Sequence, residues 1–230
     1  MREMVDIAVL NNILWCGIVC ETHGIPATSG KHIWRTESKA PTYYPDMITS
    51  SRHVTIDDVR GIIRNKEVSS IKDSFALLDL SPWSFEMLFT AEWIHHEPVD
   101  HVESFPSGWS RVTTVNDLAD WTSAHGTGNI LRPELLERPE VKFYLKKKDG
   151  EVAGFIANLG ANAVGVSNAF SNVNRDHLWS AIHGIVAFDF PGLSMVGYER
   201  GAGLNAALKS GWTTIGPLRV WVRSEDEANG

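Results

Sequence analysis

Leu193-Ser194-Met195-Val196-Gly197-Tyr198-Glu199, running through Leu204, Ala206-Ala207 and Gly211-Trp212 into Gly216-Pro217-Leu218-Arg219-Val220-Trp221, is the stretch whose reading decides the fold. Its first piece is a short apolar run after Pro191-Gly192, which predicts a buried strand. Leu204, Ala207 and Leu208 recur at helical spacing and predict a packing helix, and the remainder predicts a closing pair of strands. Upstream, Leu178, Ala181, Ile182 and Ile185 mark another helix, and a helix between two strands favours a crossover connection. Before it come three extended segments, 141–147, 151–159 and 163–170, joined by turns at Asp149-Gly150 and Gly160-Ala161-Asn162, which predict a meander. Further back, Arg111-Val112-Thr113 suggests a strand, Asn116 a helix cap, Gly126 a helix end and Pro133 a helical turn through Leu136.

The amino-terminal part reads differently. Val9, Leu10, Ile13, Leu14, Ile18 and Val19 predict a helix from Val5 to His23, with Gly24 where a left-handed cap is wanted. Residues 30–51 have the composition of short extended pieces joined by turns. Thr55 has the character of an N-cap, Asp57 and Asp58 oppose the helix dipole, and Val59, Ile62 and Ile63 supply an apolar stripe. Ile71 to Leu80 and Phe85 to Ile94, separated by Ser81-Pro82-Trp83-Ser84, predict an antiparallel hairpin. The polar stretch from His95 to Gly108, with Pro98 and Pro106, is the expected boundary between an α+β half, 1–105, and a second domain, 106–230. Each half has a helix ending in His-Gly, His23-Gly24 and His125-Gly126, so a partial pseudo-repeat is expected.

Composition narrows the function classes. At 230 residues, with 43% hydrophobic and 21% charged residues, the chain is an ordinary globular protein able to bury a core. A net charge of -7 gives no basic footprint for a phosphate backbone, and Lys146-Lys147-Lys148 reads as a solvated hairpin tip, so no nucleic-acid partner is expected. Cys16 and Cys20, four apart on one helix face, point to a reducing compartment and carry no chemistry. Glu3 and Asp6 do not suit a signal peptide, and Asn11 and Asn12 interrupt the apolar stretch that follows, so no membrane span is expected and the location expected is cytoplasmic.

The order strand, helix, helix, three-stranded meander, helix, strand, helix, two strands over Trp109 to Val222 resembles the GNAT superfamily of N-acetyltransferases. The endings Val196-Gly197-Tyr198-Glu199, Ala206-Ala207, Gly211-Trp212 and Gly216-Pro217-Leu218-Arg219-Val220-Trp221 carry the likeness. The resemblance implies an α/β (α+β) fold with a mixed, mainly antiparallel sheet flanked by helices. It also implies a notch where the fourth and fifth strands, here 163–170 and 193–198, splay apart to receive acetyl-CoA as co-substrate. On this likeness Val164, Val166 and Asn168 are expected along the cofactor strand, Asn174 and Arg175 near the phosphates, Tyr198 as acid and Glu199 as base. The acceptor would be an amine of a small molecule or peptide. The family's glycine-rich phosphate loop is replaced by Ser171-Asn172-Val173-Asn174-Arg175-Asp176-His177, which has no glycine. A catalytically inactive domain that binds a small ligand or protein partner is therefore the alternative.

Other constellations are weaker. His95-His96-Glu97 with His101 is the best metal-ligand candidate, but Pro98 interrupts any helix that would align them, and no metal site is assigned. Gly201-Ala202-Gly203 reads as a turn at a helix start, and no G-x-S-x-G elbow occurs. The nine tryptophans suit a core or the wall of a groove. Apolar edge strands would suit a homodimer.

Overall fold

The computed structural model describes residues 2–100, 102–148, 150–173 and 175–224. The chain runs α1 (Arg2–Thr22), β1 (Ala27–Ser29), β2 (Ile33–Thr36), β3 (Met47–Thr49), α2 (Ile56–Ile63), β4 (Ser70–Asp73) and β5 (Phe85–His96). It continues with β6 (Trp109–Val112), α3 (Val115–His125), β7 (Val141–Lys148), β8 (Glu151–Gly160) and β9 (Ala163–Ser171), and ends in α4 (Arg175–Asp189), β10 (Met195–Glu199), α5 (Gly201–Lys209) and β11 (Thr213–Arg223). All strands join one mixed, mainly antiparallel sheet, ordered β1-β2-β3-β4-β11-β5-β10-β9-β8-β7-β6.

Local signals place most boundaries. Gly24 and Gly126 adopt left-handed φ values of 69° and 84° after α1 and α3, which a residue with a Cβ takes up only under strain. Thr55 and Asp58 form a reciprocal capping box at α2. The cap of α3 is Thr114, whose hydroxyl accepts from the Asp117 amide, and Asn116 lies within the first turn. Pairing of β7 with β8 and of β8 with β9 makes the meander, and β10 lies parallel to β9 after the α4 crossover.

Two expectations fail at long range. The closing pair is one strand, β11, because a bulge between Thr214 and Gly216 lets the chain stay in register through Pro217. Nor do β4 and β5 form a hairpin. β11 lies between them, antiparallel to both, while residues 74–84 leave the sheet through a loop and a short 3-10 turn at Ser81–Trp83. The connection between β5 and β6 holds the 105/106 division of the chain, yet strands from both sides alternate at the centre of the sheet.

The strand order is nearly a palindrome about the β11/β5 pair, with β4-β3-β2-β1 on one side and β10-β9-β8-β7 on the other. Each half supplies a helix, a three-stranded meander, a crossing helix and a parallel strand, and then sends its last strand into the other half. The partial repeat is thus visible in the topology, with the two His-Gly helices, α1 and α3, at corresponding places.

Helices cover both faces. α1 and α3 pack Val9, Ile13, Trp15, Val19, Leu118 and Trp121 on one face; α4 and α5 pack Leu178, Trp179, Ile182, Ile185 and Ala207 on the other, with α2 beside them. By length and composition alone α1 is apolar enough to cross a membrane, but half of it is buried inside the protein, so here it is a core helix. Cys16 and Cys20 lie on that buried side as free thiols. Burial raises Cys16 and pushes Cys20 up to about 12, which keeps both protonated and inert.

Candidate functional site

The site begins where a ladder stops. β9 and β10 pair at Val164/Met195, Gly165/Val196 and Val166/Gly197, and their register ends there. β9 continues along β8 to Ser171 while β10 continues along β5 to Glu199, so the two diverge. The divergence has a local cause. Asn168 takes a left-handed φ of 54° at an irregularity in the β8/β9 register, which is a bulge that turns β9 away. A cleft of about 540 Å³ opens at the fork, bounded by α1, the segment carrying Tyr43-Tyr44-Pro45, the end of α3 and the start of α4.

Of the residues expected from sequence, Val166, Asn168, Arg175, Tyr198 and Glu199 line this cleft together. Val164 does not: it sits below the last rung, fully buried, with its amide donating to Ser194 O at 2.9 Å. Asn174 falls outside the described residues. Strand alternation sends Tyr198 and Glu199 to opposite faces. Tyr198 turns towards the α1 face, edge-on to Trp93 at 5.5 Å between ring centroids. Glu199 turns towards α5, where Gly203 leaves space for it; a Cβ there would meet the Glu199 carboxyl carbon at 2.8 Å. Burial pushes the Glu199 carboxyl up to about 6, against the opposing pull of the Arg200 amide and the Arg175 and Arg200 charges.

The cleft's charge is opposite to that of the whole chain. Among the described residues Lys72, Arg175 and Arg200 line it against a single carboxylate, Glu199, in a protein of net charge -7. Such a concentration of positive charge favours anionic ligands. Arg175 is exposed at the start of α4, where the positive end of the helix dipole adds to the attraction. The glycine-free segment is less accommodating. Asn172 is tied to the β8 edge, accepting from the Val152 amide at 2.8 Å and donating to Gly150 O at 3.1 Å.

The opposite wall comes, apart from its tryptophans, from residues that the sequence did not single out for function. Asn11 of α1 donates to the carbonyls of Gly160 and Ala163 at 3.0 and 3.1 Å and accepts from Asn158 Nδ2 at 3.0 Å, which clamps α1 to the rear of β8 and β9. Gly165 leaves the space these amides occupy. Trp15, Tyr44 and Trp93 supply aromatic surface, and His125, kept neutral by burial that lowers its pKa, stacks on Trp121 at the far end. The available signals were the two asparagines inside an apolar helix and a lysine inside an apolar strand.

His95 and His96 do not converge. They alternate across β5, His96 stacking on His183 at 5.3 Å and His95 facing the other side, while His101 lies outside the described residues.

No protein-family model matches the sequence, and no curated protein matches it. Solved structures do match in shape. A putative acetyltransferase from the GNAT family of Novosphingobium aromaticivorans DSM 12444 superposes with a TM-score of 0.59 at 11% identity, covering 94% of this chain and 99% of that one. A functionally unknown conserved protein from Staphylococcus epidermidis ATCC 12228 gives 0.59 at 9% identity, over 86% and 93% of the two chains. At such identities the likeness is one of fold: the chain has a GNAT-like architecture across nearly its whole length, amino-terminal half included.

Proposed function

We propose that the protein is an acyl-CoA-dependent N-acyltransferase that moves an acetyl group to an amine of a small molecule or peptide. The observation that carries this reading is the open fork between β9 and β10, which leads into a cleft with three cations and one carboxylate. The β9 backbone beyond Val166, where its ladder with β10 has stopped, suits the strand-like hydrogen bonding of a pantetheine arm, with Val166 and Asn168 at its side and Arg175 towards the phosphates. In the reaction the amine lone pair attacks the thioester carbonyl, the C–N bond forms, and the C–S bond breaks with its electron pair leaving on sulfur. One proton must leave the ammonium and one must reach the thiolate. Glu199, held near 6, suits the first task at neutral pH, and Tyr198 the second.

Calorimetry with acetyl-CoA and with CoA tests the reading, with affinity expected between micromolar and submillimolar; no heat and no thermal shift would overturn it. Glu199→Gln should lower turnover by about 10²- to 10⁴-fold and remove the limb of the pH profile near 6. Unchanged turnover in Tyr198→Phe would end the acid role.

The second reading, a binding domain without transfer activity, is favoured by one feature, the glycine-free 171–177 segment with Asn172 already engaged. It predicts ligand binding at the fork without turnover on any amine. A cytoplasmic location belongs to the proposal and is supported by the buried, unpaired thiols.

A further inference from the structure

We infer that the acceptor is a small amine that also carries a carboxylate, an amino-acid-like molecule, and that Lys72 is the residue that holds its carboxylate. This rests on the acyl-transfer reading for the amine, and on Lys72 itself for the carboxylate.

Lys72 occupies the middle of β4 and is only 3% exposed, yet its ammonium faces the cleft. Its partners are neutral. Nζ donates to Asn12 Oδ1 at 2.8 Å and stands 4.4 Å from the centre of the Tyr198 ring. Among the described residues no carboxylate lies within 4.0 Å of it. The half-buried lysines elsewhere are treated otherwise: Lys146 meets Glu151 at 2.7 Å, Lys142 meets Asp189 at 3.4 Å and Lys66 meets Glu37 at 3.7 Å. The most buried of these ammonium groups is therefore the one without a counter-charge. Taking a cation out of water without an anion is strongly unfavourable, and an amide oxygen with a ring face offsets only part of it.

The surroundings define what completes the set. Cys16, beside Lys72 on α1, stays a neutral thiol, and Glu199 is turned to the other face of β10. An incoming carboxylate would meet the two N–H bonds of Lys72 that Asn12 leaves unused. Tyr198, under the ammonium, directly follows the last rung of the β9/β10 ladder. A molecule anchored on Lys72 thus needs only a few bonds between its carboxylate and an amine at the fork. Trp15, Tyr44 and Trp93 line the remaining space and suit an apolar or aromatic side group.

The test is binding of L-leucine, L-phenylalanine and L-tryptophan against their carboxamides, measured by calorimetry or ligand-observed NMR without CoA. At least one free amino acid should bind about ten- to a hundredfold tighter than its amide. Lys72→Met should erase that preference and Lys72→Arg should restore part of it. With acetyl-CoA present, Lys72→Met should raise KM for carboxylate-bearing acceptors and leave kcat within a fewfold. Should Lys72→Met fail to fold, Lys72→Gln replaces it, and the wild-type comparison of acid with amide needs no variant. Equal affinity for acids and amides, no binding of any of the three, or an unchanged preference in Lys72→Met overturns the inference. Absence of acetyl-CoA binding would instead overturn the acyl-transfer reading and leave the carboxylate measurement to stand alone.

Discussion

The described sheet holds two parallel strand pairs built on one plan, and their fates differ. β9 and β10 part after Val166/Gly197 and leave a cleft; β3 and β4 pair at Met47/Ile71 and Ile48/Lys72, and the space beyond is filled. There the Ser74 amide donates to Thr49 Oγ1 at 2.8 Å, the Asp73 carboxylate accepts from the Leu78 amide at 2.8 Å, and Trp93 Nε1 donates to Ser74 O at 2.8 Å. Thr49, Asp73 and Ser74 are all buried. The crossing helices differ too. α4 has 15 residues and starts with an exposed arginine, whereas α2 has 8 and its start is closed by its own capping box, the Thr55 amide donating to the Asp58 carboxylate and the Asp58 amide to Thr55 Oγ1. A parallel pair in this fold is therefore open or shut according to the few side chains that follow its last rung, not according to topology.

The largest expected effect comes from disturbing the last rung of the open pair. A Cβ on Gly197 would stand 2.7 Å from Val166 O, so Gly197→Ala should cost about 2–4 kcal/mol in urea unfolding and weaken CoA binding. A loss below about 0.5 kcal/mol would show that the rung does not hold the fork. Next is Trp93, which serves both regions, its indole N–H closing the shut pair and its ring buttressing Tyr198 in the open one. Trp93→Phe should cost about 1–3 kcal/mol by leaving the buried Ser74 carbonyl without that donor. If stability is unchanged, the two regions are not linked through this residue.

Glu199→Gln should act in the opposite direction on stability. The folded carboxyl titrates near 6, above its ordinary 4.5, so its contribution to stability is fully present below about 4.5 and is lost as pH rises through about 6. The variant should gain about 1–2 kcal/mol at pH 7.5 and nothing at pH 4, read from thermal melts across pH. A gain independent of pH would contradict the burial of this carboxyl. The smallest effect is expected at the bulge, where Asn168→Gly relaxes the left-handed backbone and should change stability by less than about 1 kcal/mol while leaving the cleft open. Closure of the fork in that variant would show that the asparagine side chain, and not the backbone, turns β9.

The contrast also explains what could be read from the chain. The meander, the α4 crossover and the helix ends are set by nearby residues, so Gly126, Pro191-Gly192 and the apolar periods reveal them. Val166, Asn168, Arg175, Tyr198 and Glu199 were expected at the fork only through the family resemblance that this local order of elements carries, and all five line the cleft. The insertion of β11 between β4 and β5 joins Arg219 to Asp73 and Leu218 to Ala91, contacts that leave no local pattern, and a Ser-Pro-Trp-Ser turn composition pointed to a hairpin instead. Lys72 was hidden by the same insertion, because only the assembled sheet brings β4 opposite α1 and Tyr198.

That exchange of final strands has a consequence for how the molecule comes into being. While the polypeptide is still emerging from the ribosome, the first half can lay down β4 and β5 but must leave a strand-wide gap between them until residues 213–223 have been made. Its exposed ladder edges are then open to wrong partners, and neither half reaches its final form as a separate fragment. Synthesis of residues 213–223 closes both halves in a single act.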